Sequence, residues 1–215
     1  MYSHRAYLLV VRCMSYKKIL SRDPILAWVI NQLDPLTDIV ASQDIYKDLL
    51  ETIVSQQLSV KVADVIRKRF LQLFQDGYPH ATQIINYPLE QLRAVWLSNS
   101  KAQYLKNIAL YWQEHKLTQS GLLKLSDDTL WSLLLAIKGV GPWTVEMMLM
   151  FSVWREDIFS VWDLGIQTAM INLYNLDPSQ PKQLKQDMIR ISDNRKPYRS
   201  YACRYLRKWK DRKKS

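Results

Sequence analysis

Apolar residues along this chain recur every three to four positions and almost never every second one. Through "IYKDLLETIVSQ" they fall at Ile45, Leu49 and Ile53, with Leu50 and Val54 alongside, which is the stripe of an amphipathic helix. The next stretch, "SVKVADVIRKRFLQLF", reads the same way. Val62, Val65, Ile66, Phe70 and Phe74 are expected on a core face, with Lys61, Arg67, Lys68 and Arg69 opposite. The punctuation between stripes is also that of helices. Asp23-Pro24 is an N-cap with proline at the first helical position, ahead of "ILAWVINQL", and Asp34-Pro35 repeats the signal weakly. Gly77-Tyr78-Pro79 closes one helix, and "PLEQLRAVW" and "KAQYLKNIALYWQEH" form two more. Ser126-Asp127-Asp128 opens "TLWSLLLAIK", expected to run to Lys138. Pro142 and Asp163 each start a helix, and "PKQLKQDMIRIS" and "PYRSYACRYLRKWK" close the chain. Residues 6–12 are the one stretch that could be a strand. The pattern predicts an all-α protein of about ten helices.

Composition narrows the partner more than the fold. The 215 residues carry a formal charge of +10, which suits a polyanion: nucleic acid first, an anionic membrane surface second. Eight Trp and twelve Tyr point to an aromatic-rich interior and a folded protein. Two cysteines, Cys13 and Cys203, and three histidines are too few and too scattered for a four-cysteine zinc or iron–sulfur site. The apolar run from Ala6 to Met14 is too short to span a bilayer, and residues 1–22 read as an N-terminal extension.

Only five glycines occur, and Gly139 and Gly141 stand one residue apart in "LLLAIKGVGPWTVEMM". A helix ending there can turn left-handed at Gly139, while Gly141 leaves room for a close approach and Pro142 starts the next helix. The amides of that new helix would form a nest for an anion, a DNA phosphate being the natural occupant. The plainer reading is a corner whose glycines only permit packing. Asp163 is equally two-sided: aspartate is a favoured N-cap whatever else it does.

The flanking residues resemble the helix-hairpin-helix (HhH-GPD) DNA glycosylase superfamily. Leu134, Ile137, Gly139, Val140, Gly141, Trp143 and Thr144 meet its pattern L-x-x-I-x-G-[VI]-G-x-[WK]-T-A, with Val145 at the usual small position. "DIFSVWDLG" is similar to the D-x-F-x-V-x-D-L-G segment of the 3-methyladenine DNA glycosylase II branch, and its Asp163 lies 24 positions after Gly139. "IVSQQLSVKVA", "WLSNSKAQYLKNIA" (Trp96 replacing a glycine) and "RKPYRSYACRYL" are similar to further segments of that branch. The resemblance covers about residues 23–210 in order. It implies a core over 23–215 of two interleaved helical lobes, with an active site in the cleft between them.

That resemblance implies a monofunctional glycosylase releasing alkylated purines, chiefly 3-methyladenine, from double-stranded DNA by base flipping. Asp163 is its catalytic carboxylate. Trp143 occupies the place of the Schiff-base lysine of glycosylase/lyase members. Trp143, Trp162, Tyr46 and Tyr201 are base-pocket candidates. Gln57 and Leu58 would fill the gap left by the flipped base, although Leu58 could equally be core. Gln56, Ser59, Ser98, Lys101, Gly139, Gly141, Thr144 and Arg199 complete the DNA-contacting set. Where relatives often carry a Trp in the last helix, this chain has Arg207, with Trp209 two residues on. The protein is expected to act as a monomer in the nucleoid or nucleus, away from membranes. No cofactor is expected beyond a monovalent cation that hairpin carbonyls could hold. A non-catalytic helix-hairpin-helix DNA binder, or a glycosylase of other lesion preference, is the alternative.

Overall fold

The computed structural model describes residues 15–36, 42 and 44–212, and among them every regular element is a helix. The chain divides into two compact units. A terminal unit is built from Met1–Ile39 with Arg155–Ser215, and a central unit from Val40–Trp154. The strand alternative at residues 6–12 falls outside the described residues, as does Cys13. No helix among the described residues is long and apolar enough to cross a membrane.

The terminal unit contains α1 (15–20), α2 (Pro24–Asn31), α11 (Leu164–Tyr174), α12 (Pro181–Asp193) and α13 (Arg199–Arg212). Its axis is α13, which packs on α11 and α2 through buried Ala202, Cys203, Tyr205, Leu206 and Trp209. Cys203 is buried in this core. Tyr16 and Leu20 are buried too, so part of the expected N-terminal extension belongs to the unit's interior. Asp23 caps α2 as the sequence predicts, its Oδ1 accepting from the Ile25 and Leu26 amides at 3.0 and 3.1 Å. Its Oδ2 accepts from Arg195, at 2.9 Å, and from the Tyr174 hydroxyl. Asp34 and Pro35 start no helix within the described stretch that ends at residue 36.

The central unit runs from α3 (Ile45–Ser55) and α4 (Val60–Leu71) through two short helices, α5 (Ala81–Asn86) and α6 (Leu89–Ala94), to α7 (Asn99–Glu114). Then come α8 (Gln119–Leu123), α9 (Asp127–Leu135) and α10 (Pro142–Met147), the last continuing as a π-helical turn over Met148–Ser152. The α3 stripe is buried as expected. On α4 the stripe starts one turn late: Ile66 and Phe70 are buried, with Phe74 just past the helix end, whereas Val62 and Val65 are 45% and 44% exposed. The period was correct, but the core does not reach the first turn after the α3–α4 junction. α5 and α8 have no sequence stripe of their own, being one to two turns long. α9 stops at Leu135 and not at Lys138, because Ile137 and Val140 fold into tight turns, donating to the Leu134 and Ile137 carbonyls at 3.2 and 2.9 Å.

Candidate active site and DNA-contacting elements

In the terminal unit, the segment before α11 is fastened to the start of α13. The Ser200 hydroxyl donates to the Arg155 carbonyl at 2.6 Å and accepts from the Ile158 amide at 2.9 Å. Arg199 grips Asp157, Nε to Oδ1 at 2.7 Å and Nη2 to Oδ2 at 3.0 Å, and also reaches the Asp157 carbonyl at 2.8 Å. The Cys203 sulfur accepts from the Ser160 amide at 3.4 Å. Arg199, expected on DNA, is thus engaged inside the unit, where a bidentate guanidinium–carboxylate pair fixes geometry well. Two sequence segments that looked separate, "DIFSVWDLG" and "PYRS", form one local construction that delivers Asp163.

Asp163 is buried at the N-cap of α11, where a carboxylate faces free amides and the positive end of the helix dipole. Its Oδ1 accepts from the Ile166 amide at 3.0 Å, and its Oδ2 from Arg207 Nη1 at 2.7 Å. A Cβ at Gly165 would lie 3.0 Å from that Oδ1, so the glycine of "DLG" leaves the carboxylate its place. The arrangement is a fixed anion with one half-exposed cation beside it. Charge of either sign developing nearby would be felt strongly, because little reorganisation is left to do. The Arg207 partnership was not legible beforehand. Its only signal was the departure from an aromatic position 44 residues downstream.

The other aromatic candidates of this unit differ in setting. Trp162 is 45% exposed, with the Lys185 ammonium 3.1 Å from its ring centroid, a cation–π pair. Tyr201 is buried, its ring stacked on Tyr16 at 4.3 Å and its hydroxyl donating to Glu156 at 2.9 Å. Both faces of its chemistry are used within the unit, which makes it a core residue and not a pocket wall.

In the central unit the hairpin has the conformation its glycines suggested. Gly139 takes φ +104°, and a Cβ there would strike the Tyr104 ring, so glycine is required twice over. Gly141 is the N-cap of α10 with no side-chain cap, and a Cβ on it would meet nothing within 4 Å. Its space is open to the outside. The Asn107 amide donates to the Lys138 carbonyl at 3.0 Å and pins the turn to α7. Trp143 follows Pro142 in the first turn of α10 and is half-buried, and Thr144 beside it is buried.

The α3–α4 junction is tied to this hairpin. Gln56 Nε2 donates to Thr144 Oγ1 at 2.8 Å. Gln57 is exposed with φ +59°, Leu58 is half-buried and so not a core residue, and Ser59 caps α4 through the Val62 amide at 3.5 Å. Lys101, expected on DNA, instead donates from Nζ to the Val54 and Gln56 carbonyls at 2.8 and 2.7 Å. Burial lowers its pKa, and it stands in the first turn of α7, where the helix dipole disfavours a cation. The two carbonyls at the end of α3 hold its ammonium in place, so Lys101 positions the junction. Ser98 caps α7 through the Lys101 amide at 3.2 Å. Tyr46 lies in the core, its ring 5.1 Å from Trp112. Trp96 has φ +72°, the left-handed backbone that explains the glycine of related segments, and Arg69 covers its ring at 3.3 Å. Among the described residues no group of three or more His, Cys, Asp or Glu side chains could hold a metal ion.

Residues 50–192 match the family described as HhH-GPD superfamily base excision DNA repair protein. The DNA-3-methyladenine glycosylase 1 of Schizosaccharomyces pombe is 35% identical over 176 residues, 78% of this chain and 72% of that one. A Bacillus subtilis protein, YfjP, is 32% identical over 79% of this chain, which spans 60% of its length. Among solved structures, the S. pombe 3-methyladenine DNA glycosylase in complex with abasic DNA aligns with a TM-score of 0.76 at 30% identity, covering 93% of this chain and 97% of that one. A DNA-3-methyladenine glycosidase from Bacillus halodurans aligns with a TM-score of 0.75 at 31% identity, covering 90% and 88%.

Proposed function

Because this chain belongs to the HhH-GPD superfamily of base-excision DNA repair proteins, we propose that it is a monofunctional DNA glycosylase. It releases alkylated purines, 3-methyladenine and its relatives, from double-stranded DNA. The observation that carries the reading is Asp163: a buried carboxylate, held at a helix start by the Ile166 amide and Arg207, in the position the hairpin spacing indicates.

The lesion leaves the stack, and Gln57 and Leu58 at the junction tip fill the vacated space. As the C1′–N bond lengthens, positive charge grows on the sugar. Asp163 stabilises that charge and orients the water that adds its oxygen to C1′. Trp143 offers an aromatic face to an electron-poor or cationic base. The indole has no amine to attack C1′, so water is the nucleophile and the product is an intact strand with an abasic site. The open N-cap at Gly141 and the amides after it receive a backbone phosphate. A monovalent cation on hairpin carbonyls would add positive charge there, and the Lys138 carbonyl, with two lone pairs, can serve it beside the Asn107 amide. The enzyme acts as a monomer in the DNA-containing compartment of its cell.

The test is incubation with a methylated duplex. Free 3-methyladenine should appear without strand scission, and borohydride should trap no covalent complex. Absence of base release, or efficient trapping, would overturn the reading.

A further inference from the structure

Arg207 sets a positive charge directly beside the Asp163 carboxylate. Its Nη1 lies 2.7 Å from Asp163 Oδ2, so the guanidinium stands beside whatever sugar the carboxylate serves. Its side chain is 45% exposed, so it is not a filler of the core. Arg207 Cγ and Lys210 Cδ both come within 4 Å of the position a Gly165 side chain would take. Two long basic side chains therefore border the helix start that bears the carboxylate.

The two classes of damaged base respond oppositely to such a charge. When a cationic base departs, the electron pair of the C1′–N bond neutralises it, water adds hydroxide to C1′, and one proton is released. When a neutral base departs, the same electron pair makes it an anion, which takes up the proton that water gives. Relative to free enzyme and duplex, a guanidinium disfavours the transition state of the cationic base, which still holds part of its positive charge, and stabilises that of the neutral base, which is becoming an anion. Its influence on the sugar is common to both classes and cancels in their ratio.

We propose that Arg207 is a specificity-determining residue that extends this enzyme toward neutral damaged bases, for which leaving-group charge is the obstacle. The inference rests on the glycosylase reading above. Its test is the ratio of kcat/KM, taken from single-turnover rates at sub-saturating enzyme, between duplexes carrying one 1,N6-ethenoadenine or hypoxanthine and duplexes carrying one 7-methylguanine. In Arg207→Gln and Arg207→Trp the neutral-to-cationic ratio should fall about tenfold, equivalent to about 1.4 kcal/mol of differential transition-state stabilisation. Arg207→Lys, which keeps the charge, should hold most of the wild-type ratio. Circular dichroism identifies a variant that has not folded, and two unlike replacements keep the test alive if one fails. Equal loss on both lesions, or an unchanged ratio, would overturn the inference and leave Arg207 a support for Asp163. Release of neither lesion by wild type would instead remove the glycosylase reading itself.

Discussion

Asp23 and Asp163 are the same device, to which the proposed glycosylase function gives different ends. Each caps a helix with Oδ1, on the Leu26 and Ile25 amides in one case and Ile166 in the other, and each offers Oδ2 to an arginine. The arginines differ. The Arg195 side chain is 0% exposed and shares Asp23 with the Tyr174 hydroxyl, whereas Arg207 is 45% exposed. Local bonding is therefore alike at the two caps, and what separates them is the exposure of the partner cation.

The sharpest way to break the comparison is to remove each arginine. Arg195→Ala takes away the fully buried cation on which the part-buried Asp23 carboxylate and Tyr174 converge, and should destabilise the protein by about 3–5 kcal/mol in chemical denaturation. Arg207→Ala should lower stability less, by about 1 kcal/mol, since its guanidinium is half-exposed and the buried Asp163 carboxylate keeps the Ile166 amide. Equal losses would erase the distinction. The structural cap also predicts acid sensitivity. Burial alone would push the Asp23 carboxyl up, but Tyr174, the Leu26 amide and Arg195 outweigh it and hold it below its ordinary value of 3.8. A carboxyl lowered in the folded state gives stability that is complete above the ordinary value and drains away as pH falls through the folded one. Thermal midpoints of wild type should therefore drop below about pH 4, and Arg195→Ala should flatten that drop.

The hairpin glycines extend the contrast between inward and outward roles. Gly139→Ala forces a side chain onto a left-handed backbone and into Tyr104, and should cost about 3 kcal/mol. Gly141→Ala meets open space and should change stability by less than about 0.5 kcal/mol. It should still weaken duplex binding by about threefold if a phosphate approaches that helix start. The smallest effect is at Trp96. Glycine there relieves about 1–2 kcal/mol of backbone strain but gives up the Arg69 contact and loosens the unfolded chain, so Trp96→Gly should stay within about 1 kcal/mol of wild type.

Helix stripes and caps were legible because they are local: α3, the starts of α2, α10 and α11, and the hairpin spacing all follow from residues within a turn or two. α5 and α8 were not, being too short to show a period, and Val62 and Val65 failed because the stripe says nothing of where the core begins. Site residues divided the same way. Asp163, Gly139 and Gly141 stand at the helix start and turn that the sequence predicts, while Lys101 and Arg199, expected on DNA, and Tyr201, expected at the base, engage partners inside their own units. Their partners, the carbonyls of Val54 and Gln56, Asp157 and Tyr16, lie 42 to 185 residues away and leave no local trace.

Base release by this chain is proposed to depend above all on the carboxylate of Asp163. Asp163→Asn retains the size and a cap-competent oxygen, so the fold and duplex binding should persist. Single-turnover release of 3-methyladenine from a methylated duplex should fall at least about a hundredfold relative to wild type while affinity for that duplex stays within about threefold. Release at the wild-type rate by the asparagine variant would contradict the central claim.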